Sequence, residues 1–409
     1  MRIRSAVFAV LLLTPILASS QEIESIAGVR ITFDRPGARS LAMGSASIAA
    51  KDASVASTNP AATAGSPRTF AIETRRRTLE GRYIGDADLN TFGLESTTRG
   101  ISSASATLPM MGATWSFFYD EPLDVRHSTA SAFSNPSTTA FFLCGGEFTV
   151  TPCNGPALAT NLPVTYPIDA SLRLQRYGAA AARTFGPLAV GASVRRERLQ
   201  QKTEIVPLQQ YPNFYAETTE AIDDNDTTWS AGATWSFGSF ARLGATYASG
   251  GSFAGQRTFR EPNGALPSVE FRTPSTMGAG ISIDALPNLT LAADAVRVRY
   301  SAMMHDNRAL FPDRSEIGYP DVTELHAGAE YRMGRLALRG GWWRDPAHSL
   351  QMLNGIEPAP PFSLIVGLVN ESEDHLTAGI GFGTKNRFDA SIDRGAHSTR
   401  VAMGVSTTF

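Results

Sequence analysis

Hydrophobic and polar positions alternate with a period of two along most of the chain. From Trp229 onward, Trp229, Ala231, Ala233, Trp235 and Phe237 fall on one parity, and Ser230, Gly232, Thr234 and Ser236 on the other. That is a β-strand with one apolar face. The pattern returns in Ala113, Trp115, Phe117, Tyr119; in Leu188, Val190, Ala192, Val194; in Met277, Ala279, Ile281, Ile283; and in Leu376, Ala378, Ile380, Phe382. Six short breaks join such runs in pairs: Pro109 to Gly112, Phe185 to Pro187, Gly238-Ser239, Leu286 to Asn288, Met333 to Arg335 and Thr384 to Asn386. The connections between pairs are long, as in Leu123 to Asp169, Thr203 to Asp226, Ser249 to Phe271 and Asp345 to Glu373.

Short turns at one end and long connections at the other predict an all-β fold, a transmembrane antiparallel β-barrel. With both barrel termini at the short-turn end, n strands need n/2 - 1 turns, so six turns imply about 14 strands. The runs are near the ~9 to 11 residues that cross a bilayer at a tilt, and closure pairs every backbone amide in lipid. A soluble sandwich or propeller would also alternate, but aromatic strand ends together with six short turns favour the barrel. The last run, Val401, Met403, Val405, Thr407, Phe409, ends on an aromatic, which resembles the signal read by the barrel-assembly machinery. Outer-membrane lipid and lipopolysaccharide are then the expected surroundings.

Composition removes several alternatives. A formal net charge of -2 leaves no basic excess for phosphates, so nucleic acid is not an expected partner. Arg2 and Arg4 precede an apolar run from Ala6 to Leu17 and then Ala18-Ser19-Ser20, the layout of a secretory signal over residues 1–20. The run falls short of the ~20 residues a spanning helix needs. Cys144 and Cys153 are the two cysteines, and in an exported chain they are expected to close a local disulfide. A metal site is not expected, because His127 stands in no zinc spacing. No cofactor is expected either. There is no GxSxG, HExxH or Walker motif, and Gly379 to Gly383 reads as a strand with small lumen residues. Catalysis would need a histidine. His127, His305, His348 and His397 fall in expected loops or strand ends and His375 at a strand start, leaving His326 as the one within a strand on lumen parity. An outer-membrane hydrolase would have to use it.

Residues Gly37 to Ala62 are rich in small side chains and lack sustained alternation. They are expected to fold inside the barrel, giving a plug over residues 21–67 and a wall over residues 68–409. This stretch, with Gly37 and Gly44 and its ending Asn59-Pro60-Ala61, resembles the N-terminal hatch of the FadL/TodX family of outer-membrane transporters for hydrophobic compounds. The segment Thr273 to Ser301 and the terminal Phe409 carry the likeness further. The resemblance implies passive uptake of a hydrophobic small molecule, such as a long-chain fatty acid or an alkyl or aromatic compound. It would be captured at extracellular loops, pass the hatch and leave sideways through a kink in the third strand. A PorV-type barrel, serving as a secretion or shuttle accessory, shares the hatch motif and is the alternative.

Under that resemblance the third strand runs from Ala113 to Pro122, with Phe118 on lumen parity. Pro122 cannot donate to a ladder and marks a strand end or local unpairing, the simpler reading being that it begins the following loop. Arg195, Arg242, Asp294, Glu330 and Arg339 also have lumen parity. A carboxylate substrate would take one of the arginines as a bidentate partner, while pairing between wall and plug is the ordinary use of such charges. Leu208, Tyr211 and Phe214, in the connection Thr203 to Asp226, could form a first capture groove. The run Asp223, Asp224, Asn225, Asp226 lacks the glycine and distal glutamate of a calcium loop and is expected to be solvated.

Overall fold

A computed structural model describes residues 31–82, 93–133, 141–144, 147–149, 157–158, 164–205, 218–259, 269–304, 317–349, 351–352 and 371–409. The wall strands are β1 (Thr69–Arg82), β2 (Gly93–Met110), β3 (Ala113–Phe133), β4 (Val164–Phe185), β5 (Leu188–Ile205), β6 (Thr218–Phe237) and β7 (Ala241–Ala248). They continue as β8 (Thr276–Leu286), β9 (Leu289–Val298), β10 (Val322–Met333), β11 (Leu336–Asp345), β12 (Glu373–Gly383), β13 (Asn386–Arg394) and β14 (Ser398–Thr408). Each pairs antiparallel with the next, and β14 pairs with β1 from Thr69↔Thr408 to Leu79↔Ser398, so the sheet closes. The six short breaks are all turns at one end of this ring. In the first of them, Met111 and Gly112 both have positive φ, the geometry of a type I′ hairpin.

Alternation sorts side chains between lipid and lumen. On β3, Phe117 is 53% exposed while its neighbour Ser116 is fully buried. Trp115, Trp229, Trp235, Tyr247, Leu338, Ile380 and Phe388 face outward in the same way. An apolar exterior is what a wall in hydrocarbon requires.

Several expected boundaries shift. β3, β4, β5 and β6 have 21, 22, 18 and 20 residues. They run far past the ~9 to 11 needed to span, so they project beyond the membrane opposite the short turns. The third strand does not stop at Pro122 but continues to Phe133, and Pro122 sits within it at a bulge. A proline is tolerated there because the bulge leaves its missing N–H without a ladder partner. Asp223 to Asp226 are likewise not loop residues: they lie in β6, where Asp223 pairs with Arg198 at 2.7 Å. Asp226 and Asp224 accept from the N–H groups of Ser252 and Ala254 in the strand Ser252–Phe259.

At this projecting end the lumen holds an apolar cluster. Leu123, Val125, Leu172, Leu174, Leu199, Ile222, Phe253 and Phe271 form one buried cluster. Residues 31–67 lie on the lumen face of the wall, with a short helix α1 (Ala38–Ala42) and 3-10 turns at Ala53–Val55 and Pro60–Thr63.

Candidate functional site

The N-terminal segment is set against the wall by backbone closeness and by charge. Gly44 has φ +64, and a Cβ there would stand 2.5 Å from the carbonyl oxygens of Ala327 and Trp342. A Cβ at Gly191 would meet the Ala61 nitrogen at 2.7 Å, and one at Gly244 the Ile48 carbonyl at 2.6 Å. Glycine on both sides therefore brings backbone to backbone. Asn59 is wholly buried. Its Nδ2 donates to the Ile48 carbonyl at 2.6 Å and its Oδ1 accepts from the Ala61 N–H at 3.1 Å, capping the turn that Pro60 opens. Gly37, φ 102, occupies the N-cap of α1.

Arg39 of α1 makes a two-pronged bond to Glu330 of β10, 2.9 and 3.0 Å, and Glu330 also receives Arg339 at 2.6 Å. Arg339 continues to Asp389 at 2.8 Å. Arg35 reaches Glu324 at 3.3 Å and Nε2 of His326 at 3.0 Å, while Asp294 accepts from the N–H groups of Ser47 and Ile48 at 2.6 and 3.0 Å. Asp34 meets Arg75 at 3.1 Å, Arg77 at 3.7 Å and Arg400 at 3.0 Å. Burial works against the Asp34 charge, but Arg400, Arg77 and Arg75 outweigh it and hold the carboxyl down at about 2.

Asp34 also touches the seam between β2 and β3. β2 and β3 pair only from Ser103↔Asp120 to Met110↔Ala113. Beyond this, β2 keeps its ladder with β1 up to Gly93, and β3 keeps its ladder with β4 after a register shift between Asp120 and Leu123. Side chains bridge the seam instead: Ser96 Oγ donates to the Arg126 carbonyl at 2.6 Å and Thr98 Oγ1 to the Asp124 carbonyl at 3.3 Å. The Asp34 N–H donates to the carbonyl of Pro122 at 2.8 Å. A crevice of about 20 Å³ remains, bordered by Asp34, Arg75, Arg77, Thr98, Arg99 and Glu121.

Two larger cavities lie on opposite sides of the segment. One of about 90 Å³ faces the projecting end, with Phe33, Ile48, Val296, Val298 and Tyr300 on its apolar side and Asp120, Arg176 and Arg195 on its charged side. The other, about 280 Å³, faces the short turns and is lined by Arg39, Lys51, Asp52, Glu73, Arg387 and Asp389.

The arginines singled out in the sequence are separated. Arg195 borders the smaller cavity, bonded to Thr228 at 3.2 Å and the Ser249 carbonyl at 3.3 Å. Arg339 is taken up by Glu330 and Asp389, and Arg242 is half-buried beside the turn before β7. Phe118 is buried with Ala56 and Ala180 and lies over Gly178. Phe409 is exposed, its N–H bonded to the Arg68 carbonyl at 3.0 Å. Leu208, Tyr211, Phe214 and Cys153 lie outside the described residues, as do the signal and the pairing of Cys144 with Cys153. His326 is not the one lumen-facing strand histidine, since His375 of β12 is also buried inside, 2.9 Å from Asp393. His326 bonds the Gly44 carbonyl, Glu324 and Arg35 and stacks on Trp343, contacts that offer it no hydroxyl to activate.

Sequence reading missed the apolar lumen cluster and the carboxylate Asp120, 3.8 Å from Arg176. A signal existed: lumen parity is even through Asp120 and odd from Leu123, a phase change that only a bulge can make.

A closed wall, apolar outside, charged inside and holding a folded segment, defines a transmembrane β-barrel of the outer membrane. Its fold is that of the FadL-type channels. A Pseudomonas aeruginosa FadL homologue superposes with a TM-score of 0.62 at 12% identity, covering 93% of this chain and 99% of its own. The Ralstonia pickettii toluene transporter TbuX gives 0.58 at 15% identity, covering 91% and 98%, and the Pseudomonas putida toluene transporter TodX 0.56 at 14%, covering 93% and 98%. No protein-family model matches the chain, and no curated protein sequence does.

Proposed function

We propose that the protein is a passive outer-membrane channel for hydrophobic small molecules, with residues 21–67 as its hatch and the seam between β2 and β3 as its lateral exit. The observation that carries this reading is the Pro122 bulge, where the wall loses its backbone ladder and one hatch residue, Asp34, bonds both the bulge carbonyl and the arginines behind it. The apolar lumen cluster supplies the capture surface. Burying a methylene is worth ~0.8 kcal/mol, so even a short alkyl chain would be held there, and release needs a second state in which the hatch has moved. Toluene transport by two proteins of the same fold supports a cargo of this kind. The test is uptake of radiolabelled toluene and of a long-chain fatty acid by cells with and without the gene. Faster entry of at least one is expected, and equal rates for every apolar solute tried would refute the reading.

A further inference from the structure

The outward face of the barrel carries a row of arginines on the side of the long strands, and several of them have an acid beside them. Arg344 lies 3.8 Å from Asp374, Arg297 3.9 Å from Asp321, Arg198 2.7 Å from Asp223, Arg126 3.2 Å from Asp124 and Arg173 2.5 Å from Glu121. Among the described residues Arg196, Arg299 and Arg394 have no acid beside them, and neither do two arginines that face each other. Arg76 of β1 and Arg99 of β2 stand directly opposite each other in the ladder, both exposed. Among the described residues no ion pair forms at either. The nearest acids across the seam, Glu121 and Asp124, are already engaged by Arg173 and Arg126.

Like charges directly opposite on a sheet destabilise it, because their Cβ atoms are only ~5 Å apart. Among the described residues no acid offsets this cost, and an anion from outside the protein would. The pair's height says what lies there. Arg76 is the eighth residue of β1 counted from the short-turn end, and Arg99 the twelfth of β2. At ~2.5 Å of height per tilted residue this is ~20 to 30 Å up, the upper border of an apolar band ~25 Å tall. Below the pair, Phe70, Ile72, Ile101, Met403 and Val405 are exposed and apolar. A ligand that fits both halves has acyl chains below and a phosphate above, presented at the outer leaflet. Two adjacent guanidinium forks match phosphate oxygens in a way that single lysines do not.

We propose that Arg76 and Arg99 form a phosphate site for lipid A, the phosphorylated acyl anchor of lipopolysaccharide, on the outer wall of the barrel. Arg394, exposed on β13 and two strands away, lies on the same face and extends it. Because Arg99 also borders the crevice between β2 and β3, the bound lipid stands at the outer lip of that seam.

The test is native mass spectrometry of the full-length protein in detergent micelles, titrated separately with bisphosphorylated lipid A, dephosphorylated lipid A, phosphatidylglycerol and inorganic phosphate. Wild type is expected to retain bisphosphorylated lipid A at least tenfold better than the other three. Arg76→Gln/Arg99→Gln should lose that preference, Arg76→Lys/Arg99→Lys should keep part of it, and Arg297→Gln, on the distant β9, should leave it unchanged. Heat-modifiable migration on gels confirms that each variant is folded. Equal retention by wild type and the Gln pair, or equal retention of dephosphorylated lipid A or phosphatidylglycerol by wild type, overturns the proposal.

Discussion

Changing Asp34→Asn removes one negative charge from a buried site where three arginines converge on it at 3.0, 3.1 and 3.7 Å. Arg75 retains Glu73 at 2.9 Å and Arg400 retains Asp393 at 3.4 Å, so two of the three keep an acid. Arg77 keeps only the Thr32 carbonyl, at 3.3 Å, beyond what Asn can offer. Breaking a buried ion pair from one side costs ~3 to 5 kcal/mol, and the loss falls on the docked position of the segment, because the wall ladders do not involve Asp34. At 1.4 kcal/mol per tenfold, even ~3 kcal/mol raises the undocked population by about a hundredfold. The assay is ion conductance in planar bilayers, paired with solute uptake in cells. The variant should show frequent openings that wild type lacks and faster uptake, with the barrel still heat-modifiable. The Asp34 carboxyl titrates at about 2, below its value of ~3.9 in an unfolded chain. Its stabilisation is therefore complete above pH ~4 and is lost only as pH falls toward 2. Wild-type conductance should stay flat between pH 5 and 8. A folded Asn variant with wild-type conductance and uptake would refute the idea that Asp34 holds the segment in place.

Three further outcomes follow from the same geometry. Ser96→Ala removes the hydroxyl that bonds both the carbonyl and the N–H of Arg126 across the seam, at 2.6 and 3.1 Å, so uptake should rise severalfold with the barrel still heat-modifiable; unchanged uptake would argue against exit through the seam. Gly44→Ala places a Cβ against two wall carbonyls at a positive φ, so protease cleavage within residues 31–67 should accelerate while the barrel stays intact, and an unchanged cleavage rate would contradict the close packing. A double-mutant cycle of Arg39→Gln and Glu330→Gln, read by the same cleavage rate, should give a coupling of ~0.5 to 3 kcal/mol, whereas additive effects would mean that the two-pronged bond does not form.

Period-two alternation, six short turns and a terminal aromatic strand were enough to predict a closed barrel of about 14 strands, because each depends only on neighbours in sequence. Once side chains must alternate between lipid and lumen, parity follows residue by residue, and Arg195, Asp294, Glu330 and Arg339 were legible as inward. Their partners were not. Arg39 and Glu330 are 291 positions apart, and Asp34 and Arg400 farther still. Before the ring closes, any inward acid is an equally good partner for any inward arginine, and only closure sets their angular positions and heights. The seam was hidden for a related reason. A proline after alternating residues reads as the end of a strand, and only the ladders on either side show that β3 continues on β4 while parting from β2. The apolar cluster at the projecting end needed both facts together, since Leu123 and Val125 face inward only after the bulge reverses the parity that Phe118 and Asp120 had set.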